Sequence, residues 1–151
     1  MTNAELAQEL RELRDLLVIG GYDEMRALRF LSLATEIEEL REDVNALARE
    51  NRLEEIPGVG KQMAVYLREY LETGTSSKRR EAESLAPPTL LALLRLSNIG
   101  VKTVRRLYHE FGIADLPTFR HALETGRLEG QRGIGQKTLE SWRRAVSRSP
   151  E

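Results

Sequence analysis

Three segments of this chain share one pattern, and it constrains the fold more than any other feature. Each has a short apolar lead-in, a tight turn with one apolar residue between two small ones, and then an amphipathic run. The turns are Gly58-Val59-Gly60, Asn98-Ile99-Gly100 and Gly133-Ile134-Gly135. They recur at spacings of 40 and 35 residues, so they form a family of motifs and not a strict solenoid repeat. Glycine at both ends lets the chain turn within a few residues. Asn98 replaces the first glycine in the second copy, and asparagine is the non-glycine residue that best tolerates left-handed backbone. The central Val59, Ile99 or Ile134 is placed to pin the turn into a core. The second glycine then opens a helix whose first amides have no intrahelical partner. Those amides, with the positive end of the helix dipole, suit an anion.

The rest of the chain also reads as helix. Leu6, Leu10, Leu13 and Leu17 recur at spacings of four, three and four, with Asn3 as the expected N-cap. Gly20 and Gly21 end this run. Asp23 is expected to cap a second helix with Leu28, Leu31, Ala34 (or Thr35) and Glu38 on one face, and Met25, Phe30, Leu33 and Ile37 beside it. Asp43 suits the start of a short third helix carrying Val44 and Leu47. No alternating β-branched run predicts a strand. Gly74, Gly112 and Gly126 fit helix ends, and Pro88 and Pro117 fit helix starts. The expected fold is all-α, built of two small helical bundles. A helical domain over 1–75 with the first turn, a linker over 76–86, and a tandem domain over 87–148 with the other two complete the expected organisation.

Composition removes several chemistries. With 151 residues, 40% apolar, the chain can build a core, and without cysteine it has no disulfide, thiolate zinc site or cysteine nucleophile. Two histidines, His109 and His121, are too few for most transition-metal sites and are expected at the surface. No apolar run approaches the roughly 20 residues of a membrane span. The acidic, amphipathic N-terminus does not read as a signal peptide, so a cytoplasmic setting is expected. The closing Ser147 to Glu151 reads as a terminus or a linker stump. The net charge of −1 hides an asymmetry: residues 1–55 carry 7 Arg/Lys against 14 Asp/Glu, and residues 56–151 carry 16 against 10. The basic part suits an anionic partner.

Polar residues follow each turn: Lys61 and Gln62, Lys102 and Thr103, Lys137 and Thr138. A lysine with a hydroxyl or amide bonds phosphate oxygens without reading bases. None of the turns is a Walker motif, because the four-residue gap before Gly-Lys-Ser/Thr is missing. The candidate phosphate-binding set is therefore Gly58, Gly60, Lys61, Gln62, Asn98, Gly100, Lys102, Thr103, Arg105, Arg106, Gly133, Gly135, Lys137 and Thr138. Arg95 is placed to form one phosphate-facing patch with Lys102, Arg105 and Arg106, and Arg143, Arg144 and Arg148 are placed to add to it. The competing reading is that the turns are packing elements and the charges are solvated. Trp142, spaced from Leu139 and Val146, reads as core, as do Tyr66 and Tyr70 over an alternative role in base stacking.

The three segments resemble the helix-hairpin-helix motif, the first most closely, over Ile56-Pro-Gly-Val-Gly-Lys-Gln-Met-Ala64. Over about residues 3–147 the chain resembles the N-terminal region of family X DNA polymerases, the bacterial type above all. Leu71-Glu-Thr-Gly74, Pro87-Pro88, Leu116 and Gly133 to Thr138 sit where that family places its landmarks. The resemblance implies an N-terminal helical domain with the first hairpin, then a fingers- or thumb-like domain with the next two. It implies a monovalent cation, Na+ or K+, at the backbone carbonyls of Glu54, Ile56 and Val59, and of Leu94, Leu96 and Ile99. The departures from the family are equally specific. There is no palm and no Asp-x-Asp pair to hold magnesium. The family's lyase lysine, which forms a Schiff base with a 5′-deoxyribose phosphate, corresponds to Tyr66, and a phenol forms no imine. Gln62 stands where a phosphate-binding lysine is common, and Leu31 and Ser32 where basic residues are common. Lys61 and Lys78 are the remaining amines for such a lyase, and both are expected to be solvated. The expected function is a non-catalytic, sequence-independent DNA-binding protein in DNA repair, on gapped, nicked or duplex DNA. The alternatives are an interaction module, forming a homodimer or binding a repair partner through Leu28, Phe30 and Leu31, and a weak lyase.

Overall fold

A computed structural model describes residues 1–149; Pro150 and Glu151 lie outside the described residues. The fold is all-α, with no strand among the described residues. Among the described residues no helix is long and apolar enough to cross a membrane. The chain forms two compact units, Met1–Ala86 and Pro87–Glu151.

In the first unit α1 spans Asn3–Ile19. Its N-cap is Thr2 and not the expected Asn3: the Thr2 hydroxyl accepts from Glu5 N at 3.1 Å, and Glu5 returns the bond to Thr2 N at 2.8 Å. This reciprocal box satisfies two orphan donors at once. Asn3 is used elsewhere. It accepts from Val44 N and donates to the Glu42 carbonyl, each at 2.8 Å, which ties the start of α1 to the start of α3 (Val44–Arg49). Helix α2 (Glu24–Glu38) is capped by Asp23, as its sequence predicts, and packs along α1. Its core face is rotated from the expected one. Ala27, Phe30, Leu33, Ala34 and Ile37 are buried, while Leu28 and Glu38 are exposed. The arc that wins carries Phe30 and Ile37, whose burial removes more apolar area from water than Leu28 and Leu31 would. Phe30 is only 1% exposed and belongs to no surface patch.

A short 3-10 turn (Leu53–Glu55) leads through the first glycine turn into α4 (Lys61–Thr73). The polar stretch expected as a linker is α5 (Ser77–Leu85), a helix of the first unit that packs against α1. The Ser76 hydroxyl caps it by accepting from Arg79 N at 3.0 Å. Arg79 then reaches Glu9 and Glu12 of α1, each at 3.4 Å. Gly20 makes the close approach possible, because a Cβ there would lie 2.6 Å from Leu85 Cβ.

In the second unit a 3-10 turn (Pro88–Leu90) continues into α6 (Leu91–Leu94), followed by α7 (Val101–Phe111), α8 (Leu116–Glu124) and α9 (Gln136–Arg148). Its core holds Leu90, Leu93, Leu107, Phe119, Leu139 and Trp142. Phe119 and Trp142 meet with ring centroids 5.6 Å apart, so Trp142 is a core residue, as expected. Three arginines close chain ends from the side. Arg120 donates to the Val146 and Ser149 carbonyls at the end of α9, Arg127 to that of Phe111 at the end of α7, and Arg143 to that of Leu123.

Candidate functional site

The three turns share one backbone. Gly58, Asn98 and Gly133 hold φ of 89°, 66° and 79°, the left-handed region in which glycine and asparagine are the favoured residues. Val59, Ile99 and Ile134 are 7%, 6% and 6% exposed, so each turn is anchored by its central side chain. The amides of Val59 and Ile134 donate to the carbonyls of Ile56 and Gln131, each at 3.0 Å. Gly60, Gly100 and Gly135 then stand as N-caps of α4, α7 and α9.

Apart from the single-turn α6, which continues a 3-10 turn and has no side-chain cap, these three helices start differently from the others. α1, α2, α3, α5 and α8 are capped by the side chains of Thr2, Asp23, Asp43, Ser76 and Asp115. α4, α7 and α9 have no side-chain cap. Their capping glycines have extended backbones that any residue adopts, with φ of −97°, −103° and −89°. A Cβ at any of the three would meet nothing within 4 Å. Nothing inside the chain therefore requires glycine there, and serine or aspartate would cap better. The first amides of these helices have no capping side chain, and no Cβ stands at the capping position. An anion that approaches the backbone closely is the ligand such a surface accepts.

The side chains around the turns divide by what else they bind. After the first turn Lys61 and Gln62 are exposed, but so are Glu54 and Glu55 just before it. Arg52 is held by Glu42, Glu50 and Glu55, and Arg68 by the Ala48 carbonyl and Asn51. After the second turn Lys102 and Arg105 are exposed and Thr103 is half-buried. Arg106 forms an ion pair with Glu110 at 3.0 Å, and its guanidinium lies 3.5 Å from where a Gly133 Cβ would stand. Asn98 donates to the Ser141 hydroxyl of α9 at 3.4 Å. The second and third turns are thereby brought together, while the first lies in the other unit. At the third turn Lys137 is exposed and Thr138 half-buried. Arg132, exposed immediately before this turn, was not singled out by its sequence setting. Its signal was available, because an arginine directly before a Gly-x-Gly turn lies beside the amides that follow.

The lyase positions are also defined. Tyr66 is half-buried on α4 and Tyr70 is buried, which pushes its phenol up to about 12. Lys78 is not the solvated amine the sequence suggested. Its side chain is 13% exposed, and it donates to the Tyr22 hydroxyl and pairs with Glu81, each at 2.7 Å. Burial opposes its charge, but the bonds to Glu81 and Tyr22 outweigh it and hold the amine above its ordinary range. Imine formation needs the opposite, a free neutral amine. Among the described residues no group of His, Asp and Glu side chains could hold a metal ion.

Comparison with known proteins agrees with the geometry. Residues 1–76 match the helix-hairpin-helix domain, and residues 90–148 match the SAM-like helix-hairpin-helix tandem. The chain belongs to the helix-hairpin-helix family. The helix-hairpin-helix turns described above lie within those two stretches. Over 101 residues, 67% of the chain, it is 30% identical to the DNA polymerase/3′-5′ exonuclease PolX of Bacillus subtilis (strain 168). The chain spans less than a fifth of that relative's length, 18%.

Proposed function

We propose that this chain is a non-catalytic, sequence-independent DNA-binding protein that acts in DNA repair and holds the sugar-phosphate backbone at its second and third hairpins. The observation that carries this is the cap pattern: α7 and α9 open on bare glycines, whereas α1, α2, α3, α5 and α8 open on a capping side chain. The bonding roles fall to the amides after Gly100 and Gly135, with Lys102, Thr103, Lys137, Thr138 and Arg105 around them. Asn98 and Gly133 set the left-handed bend. Arg106 contributes by joining the two turns. Gly58, Gly60, Lys61 and Gln62 come second, because Glu54 and Glu55 repel phosphate at that turn.

A monovalent cation fits the same turns. A carbonyl has two lone pairs, so the bond that Ile56 accepts from Val59 leaves one for Na+ or K+. Glu54, Ile56 and Val59 would hold one ion, and Leu94, Leu96 and Ile99 a second. Each ion would add positive charge beside the phosphate.

Fluorescence anisotropy with gapped, nicked, duplex and single-stranded DNA across a salt series tests the proposal. Binding that weakens steeply with salt is expected, since phosphate neutralisation releases counterions. Flat anisotropy on every DNA would make the hairpins packing elements. Borohydride trapping on an abasic substrate is expected to give no adduct, given Tyr66 and the paired Lys78. A second reading has its own observation. Met25 and Leu28 on α2 are 75% and 44% exposed, which supports a protein-facing surface. Sedimentation at several concentrations checks it.

A further inference from the structure

One recess of the second unit differs in chemistry from three further recesses of the molecule. Its volume is about 310 Å³. Arg95, Ser97, Arg148 and Ser149 supply its polar lining, and Ala92, Leu96, Leu116 and Ala145 its apolar lining. The apolar members are buried or half-buried, while both arginines and Ser97 are exposed, so the floor is apolar and the mouth charged. Among the described residues no carboxylate lines it. Three further recesses each include at least one: Glu124 beside Arg120 and Arg143, Glu72 beside Arg49 and Arg68, and Glu42 and Asp43 beside Arg41. Among the described residues neither Arg95 nor Arg148 forms an ion pair or a side-chain hydrogen bond. Arg106, Arg120, Arg127 and Arg143 of the same unit are instead bound to Glu110 or to carbonyls.

Two uncompensated guanidiniums at one mouth repel until an anion joins them, and their planar forks match phosphate. An apolar floor adds a demand that phosphate alone does not meet. The ligand must carry a flat or apolar body behind its charge, and about 300 Å³ is the lower end of the range for small-ligand sites. Arg95 and Ser97 also immediately precede the second turn, so a strand held at the Gly100 amides runs past this mouth.

We propose that the recess is a subsite for one unpaired nucleotide of a bound strand. The phosphate sits between Arg95 and Arg148, and the base lies on Leu96, Leu116 and the two alanines. A base stacked in a duplex cannot enter, so the subsite selects a strand end or a gap. This inference rests on the DNA-binding reading above.

The test compares the full chain on a blunt duplex and on the same duplex with one unpaired nucleotide at an end. The overhang is expected to bind about tenfold tighter, the size of one charge-assisted contact. R95Q/R148Q is expected to bring that ratio near one, whereas K137Q lowers both affinities and leaves the ratio intact. Equal affinities in the parent chain, or a parallel loss in the double variant, overturns the subsite and leaves the DNA-binding reading standing. If no DNA binds, that reading fails, and methyl NMR of the parent chain decides the recess by itself. Shifts at Leu96, Leu116 and Ala145 with dAMP, absent with inorganic phosphate, support nucleotide recognition. No shift with dAMP overturns it.

Discussion

Gly100 separates two demands that usually coincide. Its backbone is extended and the space before it is empty, so a side chain is tolerated and aspartate would cap α7. Gly100→Asp is therefore expected to raise folding stability by about 0.3 kcal/mol, the usual gain of a capping side chain over glycine. The same carboxylate occupies the anion position and repels phosphate, so DNA affinity is expected to fall more than tenfold. Thermal unfolding and anisotropy on one variant read both effects. A loss of stability with unchanged DNA binding would remove the amides from the interface. Asp115 shows the opposite arrangement, a cap that is filled. Its side chain accepts from Thr118 N at 2.8 Å, and its bonds to Thr118 hold the carboxyl below its ordinary 3.8. A lowered folded value stabilises the fold above the unfolded value and is lost as pH falls through the folded one. Asp115→Ala is thus expected to cost about 1 kcal/mol at neutral pH. In denaturant titrations that difference should shrink steadily as pH drops below 3.8.

Among the elements, α5 decides more than its composition suggests. Its arginine pairs with α1 and its last residue meets Gly20, so a charged stretch that resembles a linker becomes part of a unit. Gly20→Val would drive a Cβ against Leu85, at 2.6 Å in the unaltered backbone. Overpacking of this kind costs about 1–3 kcal/mol. Chemical denaturation is expected to show that loss in Gly20→Val, with DNA affinity at the second-unit hairpins preserved. The hairpin helices depend instead on their buried pins. Ile134→Ala is expected to destabilise the second unit by about 2–5 kcal/mol and to weaken DNA binding with it, because the turn loses its anchor.

Across the molecule, the charge that counts is the charge not already used. Residues 87–149 hold 11 Arg/Lys against 5 Asp/Glu. Of these, Arg106, Arg120, Arg127 and Arg143 are bound to Glu110 or to carbonyls, so net charge overstates what a phosphate backbone meets. Each phosphate contact contributes about 0.9 to the slope of log K against log salt on duplex DNA. Lys137→Gln is expected to flatten that slope by about 1, and Lys61→Gln by less, because Glu54 and Glu55 flank Lys61. A salt series on the two variants checks the ranking; a larger change for Lys61 would place the main contact at the first hairpin.

The sequence by itself determined the helical class, the three turns and their anchors. These follow from local rules: leucine spacing, the φ that Gly58, Asn98 and Gly133 permit, and the caps at Asp23 and Asp43. The amides of α7 and α9 could be read the same way, since a bare glycine before a helix is a local feature. Tertiary structure alone decided the rest. Thr2 took the cap from Asn3 because Asn3 had partners 39 and 41 residues away. The core face of α2 turned toward α1 with Phe30 inside. Lys78 met Tyr22 and Glu81, and three arginines closed helix ends. In each case the partner is distant in sequence, and the choice among partners is made by packing, which no local pattern encodes.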